Sequence, residues 1–272
     1  MKSTRIRDDG CREVQMTKHV HRLTTLFLVV FFGLTQLASG QFRLPSQSFK
    51  LGLRSEYFSR TLSSEVEGEK PRLKAYLVNL ALGYNLGAGF SAAVLLGYAS
   101  SDYKELVFRR LPFSIDFEGS GLSGFVAGAE VEKSLFSRSS FEVDALGQFM
   151  ACLGVKKKFT IPGLAVPGSI EASPSWMRAA VGPVFLLTSW EGIKPYIYPC
   201  YNYLGGTFSL DQTVESLEGT EKKKIRAKSQ FGLLIGTGLE VSEKFELKVE
   251  GGFYPRKGGS DFSVMLQALF GL

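Results

Sequence analysis

The most regular feature of the chain from Gln41 onward is an alternation of apolar residues with small or polar residues. The alternation recurs about ten times, and no long segment has the spacing of an amphipathic helix. A repeat of two places successive side chains on opposite faces of a strand. The pattern therefore predicts an all-β chain, with strands over 47–60, 71–87, 89–105, 115–134, 139–155, 174–189, 192–208, 224–241, 244–256 and 260–272.

The connections between these strands alternate in length. This predicts a barrel with short turns at one end, the short-turn end, and long loops at the other, the long-loop end. The short connections are 87–89, 133–138, 190–192 and 242–244, and the predicted outer loops are 61–70, 106–114, 156–173 and 209–223. One outer connection, 256–260, is also short. Short periplasmic turns and longer extracellular loops are typical of outer-membrane barrels. We expect a single closed antiparallel up-and-down transmembrane β-barrel of about ten strands, with eight as the alternative.

Aromatic residues recur eight positions apart on the apolar face of six predicted strands. The pairs are Phe49/Tyr57, Tyr76/Tyr84, Phe90/Tyr98, Phe141/Phe149, Phe245/Phe253 and Phe262/Phe270. Eight residues of tilted strand span roughly 21 Å of barrel height, close to the apolar band between two interfacial aromatic girdles. These residues are therefore the predicted girdle.

The opposite face of the strands carries most of the charge. We expect a lumen charge network made of Lys50, Arg54, Glu56, Glu130, Glu142, Asp144, Arg178, Lys194, Arg226, Lys228, Glu246, Lys248 and Glu250. Seven of these residues are basic and six are acidic. A nearly balanced mixture favours an interior cross-linked by ion pairs over a wide channel of one sign.

Three prolines, Pro183, Pro195 and Pro199, fall inside the sixth and seventh predicted strands. Proline cannot donate a hydrogen bond to a neighbouring strand. If that hairpin turns at Glu191, Pro183 and Pro199 lie opposite each other. We therefore expect a bulge or a locally open seam between these two strands.

The first forty residues read as a cleaved signal peptide. A basic stretch ending at Arg22 leads into the apolar run 23–37 and then Ala38-Ser39-Gly40. Translation starting at Met16 is the alternative start, and the barrel domain would be 41–272. Cleavage removes six of the 32 basic and three of the 26 acidic residues, which lowers the formal net charge from +6 to +3.

Four features of the chain together resemble one known group of proteins. They are the predicted signal peptide, the alternating strands, the alternation of short and long connections, and the ending Phe262-x-Val264-x-Leu266-x-Ala268-x-Phe270-x-Leu272. The chain resembles the small outer-membrane β-barrels of the OmpA-type and opacity-type superfamily over residues 45–272. The resemblance implies residence in the outer membrane and insertion by the barrel-assembly machinery. It departs from the group in ending on Leu272 rather than on an aromatic residue.

Catalytic chemistry has few candidates in this sequence. Both histidines, His19 and His21, lie in the predicted signal peptide, which excludes histidine-dependent catalysis in the mature chain. Zinc would have to be bound by Cys152, Cys200 and carboxylates without imidazole. We expect no enzyme activity, no metal and no cofactor, and a disulfide between the two cysteines is left open.

Basic clusters lie on the predicted outer loops. Lipopolysaccharide is anionic, so the two lysine triplets could contact it, and solvated loop charges are the alternative. The six candidates are Lys156, Lys157, Lys158, Lys222, Lys223 and Lys224. Nucleic acid is disfavoured as a partner because these loops would be extracellular, and a loop partner is not identified.

Three functions are compatible with the pattern. The first is a non-enzymatic outer-membrane barrel with an envelope structural or surface-interaction role. The second is a narrow passive channel for small or apolar solutes. The third is a soluble lipocalin-like binder, in which the apolar face would point inward.

Overall fold

The computed structural model describes residues 4–5, 49–64, 70–161 and 167–272. The predicted signal peptide, 1–40, and the alternative start at Met16 lie outside the described residues except for 4–5, so both stay predictions. None of the described residues forms a helix that is long and apolar enough to span a membrane.

The described residues form thirteen strands. They are β1 (Thr4–Arg5), β2 (Phe49–Thr61), β3 (Arg72–Gly87), β4 (Phe90–Phe108), β5 (Ile115–Arg138), β6 (Phe141–Gly154), β7 (Lys157–Thr160), β8 (Gly168–Leu187), β9 (Ile193–Val214), β10 (Leu217–Arg226), β11 (Phe231–Ser242), β12 (Phe245–Arg256) and β13 (Gly259–Gly271).

Ten of these strands close into an antiparallel barrel, which confirms the predicted fold class and selects ten strands over eight. The hydrogen-bonded order is β2-β3-β4-β5-β6-β8-β9-β11-β12-β13, and β13 pairs again with β2. At the long-loop end, β7 pairs antiparallel with β8, and β10 pairs antiparallel with β9. β1 pairs in parallel with Ile115–Asp116 of β5.

The eighth predicted strand, 224–241, is wrong at its start. Residues 217–226 form β10, which pairs with β9, and the barrel strand β11 begins only at Phe231. The predicted loops 156–173 and 209–223 are likewise largely strand, because their inward residues Ile170, Leu210 and Val214 are buried in the apolar interior. The long-loop end therefore consists of extended hairpins.

The seam between β8 and β9 is interrupted at the prolines. Pairing holds at Val181↔Tyr201 and resumes at Phe185↔Ile197, and in this described stretch no pairs form between those positions. Since the register is unchanged across the gap, Pro183 and Pro199 lie opposite each other. The structure thus has the predicted locally open seam and not the bulge.

The barrel interior changes character along its axis. Toward the long-loop end it is packed with apolar side chains, among which Phe58, Tyr103, Phe108, Trp176 and Phe208 are at most 2% exposed. Toward the short-turn end the inward side chains are a mixture of charged, small and apolar residues. The outward face is apolar in both halves of the band, as Leu82, Val94 and Leu96 are 47–50% exposed. This arrangement turns the apolar strand face away from the interior.

Candidate functional site

The aromatic residues of the predicted girdle lie on the outward face and meet across neighbouring strands. Phe49 and Tyr84 are directly opposite each other in β2 and β3, with ring centroids 4.6 Å apart. Phe245 and Phe270 repeat this contact at 4.9 Å, also near the short-turn end. The outward set is Phe49, Tyr57, Tyr76, Tyr84, Phe90, Tyr98, Phe141, Phe149, Phe245, Phe253, Phe262 and Phe270.

The rings at the other limit of the eight-residue spacing form a second belt. Tyr57 lies opposite Tyr76 in the register, and its ring is 5.8 Å from that of Phe262. Phe253 lies opposite Phe262 in turn. Two belts separated by an apolar band have the form of membrane-interface girdles. A soluble lipocalin-like fold would need this face inside the barrel, so the outward placement contradicts that alternative.

The centre of the interior holds an ion-pair network that joins three strands. Arg54 Nη1 donates to Glu130 Oε2 at 2.9 Å, and its Nη2 lies 3.3 Å from Glu56 Oε2. Arg178 Nη2 donates to Glu56 Oε2 at 2.8 Å, and its Nη1 contacts Glu56 Oε1. Arg54, Glu56 and Arg178 are 2–6% exposed. A buried charge is costly without a partner of opposite charge. Each of these charges has its partner on another strand or on β2 itself, so the network links β2 to β5 and to β8.

Neutral side chains complete the network in positions that the charge pattern did not indicate. The Tyr196 hydroxyl donates to Glu250 Oε2 at 2.7 Å, and the Gln148 amide donates to Glu130 Oε2 at 3.0 Å. Tyrosine and glutamine on an inward face carry no charge signal. They could have been found only from the alternation that places them beside the charged residues.

Arg60 forms a second buried cluster that the sequence prediction omitted. Its guanidinium donates to Asn202 Oδ1 and to the Ser229 carbonyl oxygen, both at 2.8 Å. Its Cζ lies 3.9 Å from the ring centroid of Tyr254, and Asp261 Oδ2 is 3.9 Å from its Nε. Arg60 shares the even-numbered face of β2 with Arg54 and Glu56, so the alternation held the signal that could have identified it.

The short-turn end of the interior is a cavity of about 410 Å³. Lys50 Nζ lies 3.3 Å from Glu246 Oε2, and Lys194 pairs with Glu240. Lys248 Nζ is 4.7 Å from the ring centroid of Tyr196. The predicted lumen residues that line this cavity are Lys50, Glu130, Glu142, Asp144, Lys194, Glu246 and Lys248.

The prediction that Arg226 and Lys228 belong to the lumen is wrong. Both side chains are exposed, and the Arg226 guanidinium lies 5.6 Å from the ring of the half-buried Tyr203. The neighbours that point inward are Ile225 and Ala227, each 3% exposed. The alternation therefore places these two basic side chains on the outer side of the extension.

The two lysine triplets lie at the long-loop end and have unequal surroundings. Lys156 Nζ is 2.7 Å from Glu171 Oε1 and 3.8 Å from Asp211 Oδ2, and the hydrogen bond and charge of Glu171 raise the pKa of Lys156. Lys157 Nζ donates to the Ser120 carbonyl oxygen at 2.9 Å. Lys223 lies against the Phe108 ring at 5.7 Å. Lys158, Lys222 and Lys224 are exposed.

No group of three or more metal-ligating side chains occurs among residues 49–64, 70–161 and 167–272. Cys152 and Cys200 are both buried free thiols. They occupy different parts of the interior, since Cys152 packs in the apolar cluster with Trp176 and Cys200 packs near Tyr198 and Tyr254.

The described residues thus define a ten-stranded antiparallel barrel with two aromatic belts on its apolar outward face. Its interior is packed with apolar side chains toward the long-loop end and ion-paired at the centre. No family model and no curated protein matches the chain. Solved structures to which it is similar are outer-membrane barrels. They include the outer membrane protease OmpT from Escherichia coli, at 10% identity and a TM-score of 0.49, covering 86% of this chain and 99% of that one.

The translocator domain of the autotransporter NalP from Neisseria meningitidis shares 7% identity with a TM-score of 0.46, covering 97% of this chain and 99% of that one. The attachment invasion locus protein Ail of Yersinia pestis shares 12% identity with a TM-score of 0.28, covering 82% and 98% respectively. At these values the strand pairing described above, and not the similarity, establishes the fold.

Proposed function

We propose that the chain is an integral outer-membrane barrel without an open pore, which serves as envelope structure or presents its long-loop end as an interaction surface. Its short turns face the periplasm, following the usual asymmetry of such barrels. The two aromatic belts and the apolar band between them support the membrane location. The mature chain should require detergent, and if it stays monomeric in plain buffer the membrane location is refuted.

The apolar packing inside the barrel is the observation that supports a barrel without an open pore. The ring centroids of Tyr103 and Phe208 are 4.7 Å apart, and those of Phe117 and Phe208 are 5.1 Å apart. Phe58 meets Trp176 edge-on at 5.4 Å. Aromatic side chains at this spacing are in close contact, so they fill the cross-section above the ion-pair network.

Planar-bilayer recording tests this proposal. The wild-type barrel should show no discrete conductance at any voltage, because ions would have to cross both the apolar packing and the buried network. Phe208→Ala should be the variant most prone to open, since it removes a ring that contacts three others. Phe253→Ala on the outward face is its matched control. Steady steps from the wild-type protein would refute the closed barrel and favour the narrow passive channel.

The proposed role is non-enzymatic. Residues 41–272 contain no histidine, so neither a serine–histidine pair nor a histidine base can be assembled there. The carboxylates Glu142 and Asp144 lie on one inward face and line the cavity of the short-turn end. We assign them to the lumen and not to hydrolysis.

The exposed lysines at the long-loop end support a contact with the phosphates of lipopolysaccharide. A cationic rim would be attracted to the anionic outer leaflet within a Debye length of the surface. Changing Lys222, Lys223 and Lys224 to Gln should weaken association with lipopolysaccharide vesicles at low salt. The control is Lys50, Lys194 and Lys244 changed to Gln at the short-turn end, and equal losses from both sets would refute the contact.

A further inference from the structure

The cavity at the short-turn end combines charged side chains with apolar walls. Its volume, about 410 Å³, falls in the range of about 300–1,000 Å³ that is typical of small-molecule sites. The apolar part of the lining includes Ala81, Ala93, Leu146, Val184, Leu186 and Leu269. A cavity with such walls suits a ligand that has both an apolar segment and a polar group.

The charges that line this cavity do not balance. Six carboxylates stand against three lysines. Glu246 is paired with Lys50, Glu240 with Lys194, and Glu130 with Arg54. The carboxylates without an ion-pair partner at salt-bridge distance among the described residues are Glu132, Glu142 and Asp144, and the remaining lysine of the lining is Lys248. These three carboxyl groups lie together on the wall formed by β5 and β6.

One oxygen on this wall is a buried acceptor without a donor. Asp144 is 4% exposed, and its Oδ1 has no hydrogen-bond partner among the described residues. Glu142 Oε1, by contrast, accepts a hydrogen bond from the Ser134 hydroxyl at 2.8 Å. An unsatisfied buried acceptor is costly, and such a group in a native protein needs an explanation, of which a ligand that supplies the donor is one.

We propose that this cavity binds a small organic amine, whose ammonium group is held by Asp144 with Glu132 and Glu142. The ammonium supplies up to three hydrogen-bond donors and a positive charge, which satisfy the unpartnered Asp144 oxygen and pair with these carboxyl groups. The alkyl part of the amine packs against Leu146, Val184 and Leu186. The apolar walls and the absence of a three-ligand metal group among the described residues favour an amine over a divalent metal ion.

Isothermal titration calorimetry with putrescine tests the site on the whole mature chain in detergent. The wild-type protein should bind putrescine, and Asp144→Asn should weaken binding by about tenfold or more, because a charged hydrogen bond is lost. Glu142→Gln is the second variant should Asp144→Asn fail to fold, as judged by its circular dichroism. The matched control is Glu218→Gln, an exposed carboxylate at the long-loop end, which should bind putrescine as the wild type does.

Three results would overturn the amine site. They are no binding of putrescine to the wild-type barrel, unchanged affinity in both Asp144→Asn and Glu142→Gln, and binding of magnesium as tight as that of putrescine. The assay is independent of membrane conductance. A conducting barrel that binds putrescine would refute the proposed function and keep this site.

Discussion

Removing the charge of Glu56 should be among the most destabilising single changes in this barrel. Glu56 is 3% exposed and contacts the guanidinium groups of both Arg178 and Arg54. In Glu56→Gln, Arg54 keeps Glu130 at 2.9 Å, whereas Arg178 loses the carboxylate it contacts. Leaving one buried charge without its partner costs about 3–5 kcal/mol, so we expect the free energy of unfolding to fall by that amount.

Urea unfolding in phospholipid vesicles measures this loss. Trp176 is 2% exposed and packs against Phe58, whereas Trp190 is 59% exposed. In a Trp190→Phe background, the emission of Trp176 therefore reports on the interior near the network. The shift in midpoint multiplied by the slope gives the change in free energy of unfolding, provided that the slope is unchanged.

Two further variants separate a buried ion pair from ordinary packing. Lys50→Gln breaks a pair whose side chains are 54% and 30% exposed, and it should cost only about 0–1 kcal/mol. The double variant Glu56→Leu with Arg178→Met removes both charges and should recover most of the stability lost in Glu56→Gln. A loss in Glu56→Gln no larger than that in Lys50→Gln would refute the reasoning.

Three other changes test separate parts of the structure. Leu80→Arg, midway between Tyr76 and Tyr84, should lower the free energy of unfolding in vesicles by about 2–4 kcal/mol. Leu86→Arg, which lies beyond the aromatic belt, should lower it by only about 0–1 kcal/mol. Equal losses for the two variants in urea unfolding would contradict a membrane-embedded band. Gly97→Ala should lower the free energy of unfolding by about 1–3 kcal/mol, because the added Cβ would meet the Val78 carbonyl oxygen. Gly83→Ala should be near neutral in the same assay, because its added Cβ would have no neighbour closer than 3.5 Å. Glu171→Gln should lower the pKa of Lys156 toward its ordinary value in an NMR titration, since Glu171 is the main cause of the raised pKa; no change would show that the ion pair does not form in solution.

The strands could be predicted from the sequence because a period of two is local information. The start of β11 could not, since Lys224, Arg226 and Lys228 continue the alternation across the break before Phe231. A hairpin strand and the next barrel strand then look like a single element. The polar composition of β7 and β10 likewise gave no strand signal, although they pair with the long-loop ends of β8 and β9.

The inward face of each strand was predictable, but the partners within it were not. Arg178 and Glu56 are 122 positions apart, and Arg54 and Glu130 are 76 apart. Which charges meet depends on strand number and register around the whole barrel, and neither is fixed by any one strand. For the same reason the cavity and the orphan oxygen of Asp144 emerged only from the structure.

Closure of the barrel joins segments that are far apart in the chain. The β2–β13 seam brings Thr61 to Asp261, two hundred positions away, through hydrogen bonds of 2.8 Å. Contacts between residues so far apart in the chain form only after the intervening hairpins have formed and paired. The entropy cost of closing this long loop is therefore paid when β2 and β13 meet. We expect β2–β13 to be the slowest seam to form, and until it does both strands expose unpaired edges that can join a neighbouring chain.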